Sequence, residues 1–203
     1  MTRRILVCGI DEAGRGPLAG PVCAAAVILP GHFNTEILDD SKRLSEARRE
    51  QARQVILDKS IAWGLGWASH EEIDAINILQ ASLLAMKRAF EQMLECEALK
   101  ALLSDADAPF AIEAVADGLY APEISVPCRA LVKADAQIPE VMAASILAKT
   151  ARDEEMYRYA KIYPEYGYDK HKGYPTKAHR LAVTKYGPSP IQRLSFTVKP
   201  CPS

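Results

Sequence analysis

The chain has 203 residues, 49% of them hydrophobic and 25% charged, with 25 Lys/Arg against 26 Asp/Glu for a formal charge of −1. That is the composition of one ordinary globular domain, long enough to bury a core without staples, and no run approaches the roughly 20 apolar residues that span a bilayer. The five cysteines are odd in number and show no C-x-x-C spacing, which excludes a disulfide framework and a zinc site; with no signal-peptide pattern, the protein is expected to be reduced and cytoplasmic.

Taken in order, residues 4–12 predict a strand whose apolar start ends on Asp11 and Glu12. Neighbouring side chains on a strand point to opposite faces, so in a central strand at least one of these carboxylates needs a polar pocket. The loop that follows, Gly14-Arg15-Gly16-Pro17, can bring bare N–H groups and a guanidinium close to a ligand. Carboxylates beside a phosphate-friendly loop suggest metal-assisted work on a phosphate ester; the plainer reading is a turn with a solvated acidic pair.

Residues 22–29 are apolar almost throughout and predict a strand covered on both faces. After a polar loop at 39–43, Ser45 can cap a surface helix to about residue 58, its basic side chains mostly solvated. Ile61, Trp63, Leu65 and Trp67 alternate through 60–68, the pattern of a half-buried strand, and three strands so close together favour a meander. Ser69 and Glu72 have capping-box spacing, and Ile73, Ile76, Leu79, Leu83, Met86, Phe90 and Leu94 then recur at steps of three and four, which predicts an amphipathic helix on the core.

A loop at 104–109 precedes a short strand at 110–116 that closes on Asp117-Gly118, and a strand at 126–132 closes on Lys133-Ala134-Asp135. Pro139 starts a helix with Ser145, Lys149 and Asp153 as a polar stripe on one face. Asp153, beside Arg152, reads as an ion-pair or supporting group. A last helix is predicted over 176–186, stopped by Gly187-Pro188. Residues 170–203 hold Lys170, Lys172, Lys177, Arg180, Lys185, Arg193 and Lys199 and no acid, so all 26 acidic residues lie before them. Such a segment reads as an arm for a polyanion, with a solvated basic tail as the alternative.

Two-metal hydrolysis needs several carboxylates in one small volume, because Mg²⁺ prefers hard oxygen ligands. Asp11, Glu12, Asp117 and Asp135, each at a predicted strand end, are the set expected to converge, although Asp117 before Gly118 would by itself read as a turn residue. Crowded together, some of them should resist ionisation until metal arrives.

The run from Gly9 to Pro21, Gly-Ile-Asp-Glu-Ala-Gly-Arg-Gly-Pro-Leu-Ala-Gly-Pro, closely resembles the opening signature of type 2 ribonucleases H, the bacterial ribonuclease HII family. Asp40-Ser41-Lys42-Arg43-Leu44, Asn77-Ile78-Leu79, Ala144-Ser145-Ile146-Leu147-Ala148-Lys149 and His171-Lys172-Gly173-Tyr174-Pro175-Thr176 resemble further motifs in the family's order. The resemblance implies a single α/β domain over 1–203 with the ribonuclease H-like fold, a mixed five-stranded sheet with flanking helices and a basic C-terminal helical arm from 170. It implies endonucleolytic hydrolysis of RNA in RNA–DNA hybrids, incision on the 5′ side of single ribonucleotides in duplex DNA, and two divalent ions, Mn²⁺ or Mg²⁺, on Asp11, Glu12, Asp117 and Asp135. Nucleic-acid contacts are implied for Gly14, Arg15, Gly16, Ser41, Lys42, Asn77, Ser145, Lys149 and Lys172, with Tyr174 as the substrate-sensing tyrosine; a monomer and no membrane partner are expected.

The sequence departs from the family pattern at Ala134, where a glycine is expected, and at Leu119, where a polar residue is expected. If that glycine served a positive φ, Ala134 would strain the turn by roughly 1 kcal/mol. Three rivals are weaker. A dinucleotide site fails because the glycine spacing is one residue too long, prolines interrupt it and a strand follows; a non-catalytic nucleic-acid module leaves the carboxylates unexplained; serine or cysteine hydrolase chemistry lacks its motif, and His70-Glu71-Glu72 lacks a second histidine.

Overall fold

The computed structural model describes residues 4–38, 45–105 and 110–197. Strands β1 (Arg4–Ala13), β2 (Val22–Ile28), β3 (Ala62–Ala68), β4 (Phe110–Asp117) and β5 (Cys128–Leu131) form one sheet in the order β3-β2-β1-β4-β5. The first three make the expected antiparallel meander, and β4 and β5 run parallel to β1. The helices are α1 (Glu46–Lys59), α2 (His70–Leu94), α3 (Glu97–Ser104), α4 (Pro139–Ile162), α5 (Tyr168–His171) and α6 (Lys177–Tyr186). Strand β2 is buried along its whole length because α2 covers one face of the sheet and α4, with α1, the other.

Glycines set how close those helices come. A Cβ on Gly9 of β1 would lie 2.1 Å from the Glu140 carbonyl carbon of α4, and Cβ atoms on Gly64 and Gly66 of β3 would lie 2.3 and 2.0 Å from the Ala89 and Ala85 carbonyl oxygens of α2. Only small residues fit beneath α2, so β3 buries Ala62, Gly64, Gly66 and Ala68 and turns Trp63, Leu65 and Trp67 to the opposite side. The alternation predicted a strand here correctly, but its buried face is the one without large side chains.

Helix α2 begins with the predicted capping box, Ser69 and Glu72 each accepting from the other's backbone N–H. It does not run straight. Asn77 sits at φ 67°, ψ 163°, and its Oδ1 accepts from the Leu79 and Gln80 amides at 3.0 and 3.1 Å, capping a second helical segment. The break resets the helical phase: Ile76 is exposed, Leu79, Leu83 and Leu94 are half-buried, and the buried stripe becomes Ala81, Ala85, Met86, Ala89, Phe90 and Met93.

Two further expectations are corrected. Strand β5 is shorter than predicted, and Asp135 lies on the tight turn Ala134–Ala136 beyond it, not at the strand end. The left-handed residue there is Lys133, φ 59°, so Ala134 carries no positive-φ strain; it is fully buried. Asp153 forms an ion pair as expected, with Lys149 at 2.6 Å.

The last helix forms as predicted, with Thr176 as N-cap and Gly187 at φ 82° as its stop. The segment after it is not a free arm. It lies back on the loop after β1, with Gly20 N–H donating to the Ile191 carbonyl and Arg193 N–H to the Leu18 carbonyl, and Arg193 is fully buried. Lys199 lies outside the described residues. No helix among the described residues is long and apolar enough to cross a membrane.

Candidate active site

Register brings the first two carboxylates together. Parallel pairing of Ile10 with Ala116 makes Asp11 and Asp117 the next residues on neighbouring strands. The Asp117 carboxylate accepts from the Ala134 amide at 2.7 Å, which draws the turn carrying Asp135 onto the end of β4. One oxygen from each of Asp11, Asp117 and Asp135 then lies within 4.8 Å of the others. From the opposite side α4, admitted by Gly9, brings Ser145 to hydrogen-bond the Asp11 carboxylate, which also accepts from the Glu12 amide at 2.7 Å.

Asp11 is only 6% exposed. Burial first, and then the charges of Glu12 and Asp117, push its carboxyl well above the usual range against the opposing Ser145 hydrogen bond. Burial likewise raises Glu12, opposed mainly by Arg15, whose guanidinium donates to Glu12 Oε1 at 3.2 Å. Glu12 Oε2 is buried with no hydrogen-bond partner among the described residues. Acids that resist ionisation, hard oxygen donors and a carboxylate oxygen without a partner among the described residues make a set that a divalent cation completes. Glu12 lies beside the three-aspartate cluster rather than within it, held toward the loop by Arg15.

The carboxylates form the floor of an open cleft of about 440 Å³ whose walls are Gly14, Arg15, Gly16, Ser145, Lys149, Tyr174 and Arg49. Gly16 faces the Tyr174 ring, 3.6 Å from where its Cβ would be. Of the nucleic-acid contacts expected from sequence, Gly14, Arg15, Gly16, Ser145, Lys149 and Tyr174 line the cleft, whereas Asn77 and Lys172 do not. Asn77 is occupied as a helix cap, and the Lys172 ammonium lies 3.9 Å above the Tyr157 ring and donates to the Asp169 carbonyl. Ser41 and Lys42 lie outside the described residues. Leu119 is 75% exposed just beyond Asp117.

Arg49 also lines the cleft, although the basic side chains of its helix are expected from sequence to be mostly solvated. The signal was present: Arg49 precedes Ala52 and Ile56 by three and seven residues, on the face that α1 buries. The dinucleotide alternative is overturned, since the glycine loop leads into β2 rather than into a helix.

The family model for Ribonuclease HII matches residues 8–199. The chain belongs to the ribonuclease HII family. As a member it is a metal-dependent endoribonuclease that acts on the RNA of RNA–DNA hybrids. It is 56% identical over 198 residues to the ribonuclease HII of Treponema denticola, covering 96% of this chain and 99% of that one, and 49% identical over 191 residues to that of Dechloromonas aromatica, covering 94% and 90%. Among solved structures it resembles the ribonuclease H2 of Pyrococcus horikoshii OT3, with a TM-score of 0.67 and 26% identity over 95% of this chain and 94% of that one. The ribonuclease HII of Archaeoglobus fulgidus, solved in a complex with PCNA, gives 0.72 at 22% identity, covering 97% of this chain and 98% of that one, a likeness of fold. The mixed sheet with flanking helices is thus the ribonuclease H-like fold of this family.

Proposed function

We propose that this ribonuclease HII, besides cutting the RNA strand of hybrids, incises duplex DNA on the 5′ side of a single embedded ribonucleotide and leaves 3′-hydroxyl and 5′-phosphate ends. The observation that carries the proposal is the cluster of buried Asp11 with the less buried Asp117 and Asp135, with Glu12 Oε2 unpartnered among the described residues beside it, at the floor of a cleft rimmed by Arg15, Arg49 and Lys149. Asp11, Glu12, Asp117 and Asp135 would hold two divalent ions, Mg²⁺ or Mn²⁺. When bound, such ions lower the pKa of an attacking water and stabilise the leaving 3′-oxygen.

The protein's own groups do the rest. Ser145 fixes the rotamer of Asp11, and the Ala134 amide fixes that of Asp117. Arg15, exposed on one side and held by Glu12 on the other, is placed to meet a phosphate, with Lys149 across the cleft. The only chemical difference at an embedded ribonucleotide is a 2′-hydroxyl, which both donates and accepts. Tyr174 supplies a phenol for that hydroxyl and a ring for the neighbouring deoxyribose, while the Gly14-Arg15-Gly16 backbone offers polar groups at close range.

The test is single-turnover incision of a duplex with one ribonucleotide, mapped at nucleotide resolution. Cleavage 5′ of the ribonucleotide, dependent on Mg²⁺ or Mn²⁺ and absent from the all-DNA duplex, is expected. Full activity after exhaustive chelation, or cleavage of hybrids with none at the embedded ribonucleotide, would overturn it.

A further inference from the structure

The two largest fully buried side chains are both arginines, Arg152 and Arg193. Among the described residues neither forms an ion pair, and the charge of Asp74 reaches Arg193 only at longer range. Every hydrogen bond they make goes to a main-chain carbonyl. Arg193 donates through Nε to Gly20 at 2.9 Å, through Nη1 to Arg15 at 3.0 Å and Pro17 at 2.8 Å, and through Nη2 to Gly14 at 2.7 Å and Pro21 at 3.2 Å. Arg152 donates to Pro21 at 2.9 Å, Ala19 at 3.3 Å and Lys172 at 3.1 Å. The backbone of the glycine loop is therefore gathered around two guanidinium forks from residues far away in the chain.

This has a geometric consequence. In a trans peptide, which all peptides here are, C=O and the following N–H point in opposite directions. Where the Pro17 carbonyl turns inward to Arg193, the Leu18 N–H turns outward and donates to the Gly173 carbonyl at 2.8 Å, beside Tyr174. The carbonyls of Gly14 and Arg15, drawn onto Arg193, turn the N–H groups of Arg15 and Gly16 the other way, away from that guanidinium, in a loop that lines the cleft. Neither amide has a hydrogen-bond partner among the described residues.

We propose that Arg193, seconded by Arg152, is a positioning residue for the reaction: by pulling the Gly14 and Arg15 carbonyls inward it presents the Arg15 and Gly16 amides to backbone oxygens of the substrate strand and holds Tyr174 beside them. This rests on the reading that the glycine loop touches the substrate. A lysine could not replace it, since one ammonium cannot span five carbonyls as a planar fork does.

The experiment is a double-mutant cycle on single-turnover incision of an embedded ribonucleotide, with Arg193→Lys, Gly16→Val and the pair. A Cβ at Gly16 would meet only the Tyr174 ring, at 3.6 Å, so Gly16→Val fits the free protein and is chosen to crowd the amide that the proposal gives to the strand. Arg193→Lys is expected to lose about 100-fold in rate, the scale of an ångström-sized misplacement, with Mn²⁺ binding and circular dichroism unchanged. Because both changes act on the same amides, the double variant should match the slower single within about threefold instead of multiplying the losses. Asp74→Ala, which frees the Leu194 and Ser195 amides held at 2.8 and 2.9 Å and leaves Arg193 intact, should give a smaller loss of the same kind if Arg193→Lys does not fold. Wild-type rates for Gly16→Val would sink the reading of the loop. An impaired Gly16→Val with multiplicative losses in the cycle, or with wild-type rates in Arg193→Lys and Asp74→Ala, would sink the positioning role alone.

Discussion

Two clusters of buried charge lie on either side of one short loop, and the fold treats them in opposite ways. The cations, Arg152 and Arg193, are partnered by carbonyls alone, with five hydrogen bonds from Arg193 and three from Arg152. Burying a guanidinium costs several kcal/mol, but five hydrogen bonds to Arg193, each worth about 1.5–3 kcal/mol when the donor is charged, offset that. The anions are left in debt. Asp11 and Glu12 are held near other carboxylates and shielded from water, and one Glu12 oxygen has no partner among the described residues. The finished cluster is a scaffold, and the unfinished one is where an ion and a substrate supply what the chain withholds.

The comparison is broken most severely at Asp11. Asp11→Asn removes a ligand with almost no change in volume, so incision at saturating Mg²⁺ or Mn²⁺ should fall to background while hybrid binding persists. Turnover near the wild-type value would contradict the site. On the cationic side, Arg152→Met strands the Ala19 and Lys172 carbonyls and leaves Pro21 to Arg193 alone; at about 1–3 kcal/mol per unsatisfied buried group, a stability loss of about 2 kcal/mol or more is expected in urea titrations, the same with and without divalent ions. An ion-dependent loss would mean that the two clusters are not separate.

Tyr174→Ala leaves both clusters intact and should slow incision at an embedded ribonucleotide by about tenfold, about 1.4 kcal/mol, with much less effect on all-RNA hybrid. Tyr174→Phe should fall between. Equal losses on both substrates would make Tyr174 a packing residue.

A smaller effect comes from beneath Tyr174, where the rings of His171 and His179 stack at 4.6 Å. Burial chiefly lowers both pKa values below 6.5. The unfolded chain then binds more protons than the folded one, so this contribution to stability is complete above pH 6.5 and is lost as pH falls through the folded values. Asp11 and Glu12, with raised values, have the opposite sign: their contribution is present below their unfolded values and lost as pH rises through the folded ones. In Asp11→Asn the histidine effect should therefore stand out as a steeper fall of thermal midpoint on the acid side. A midpoint that does not fall below pH 6.5 in that variant would count against it.

Much of this was legible in the chain. Apolar runs and caps place β1, β2, α1, the start of α2 and α6, and the motif order points to the four carboxylates and the glycine loop. What escaped depends on partners distant in sequence. The buried face of β3 is chosen by the closeness of α2, the position of Asp135 by a turn that the Asp117 carboxylate holds, and the burial of Arg193 by carbonyls more than 170 residues away. A count of basic residues reads Arg193 as part of a nucleic-acid arm because composition cannot show which cation finds carbonyls and which finds water. The kink at Asn77 is local, yet the apolar period runs straight through it.

The most direct measurement is the thermal midpoint of wild type and Asp11→Asn at neutral pH, each with chelator and with Mn²⁺ or Mg²⁺. An ion that binds only the folded protein at 100 times its Kd adds about 2.7 kcal/mol, which for a chain of this size is several degrees. Wild type should rise by that amount on adding the ion, whereas Asp11→Asn should start above metal-free wild type and barely respond. Equal midpoints for wild type with and without ions, together with a destabilised Asp11→Asn, would show that the carboxylate cluster is already complete without a cation.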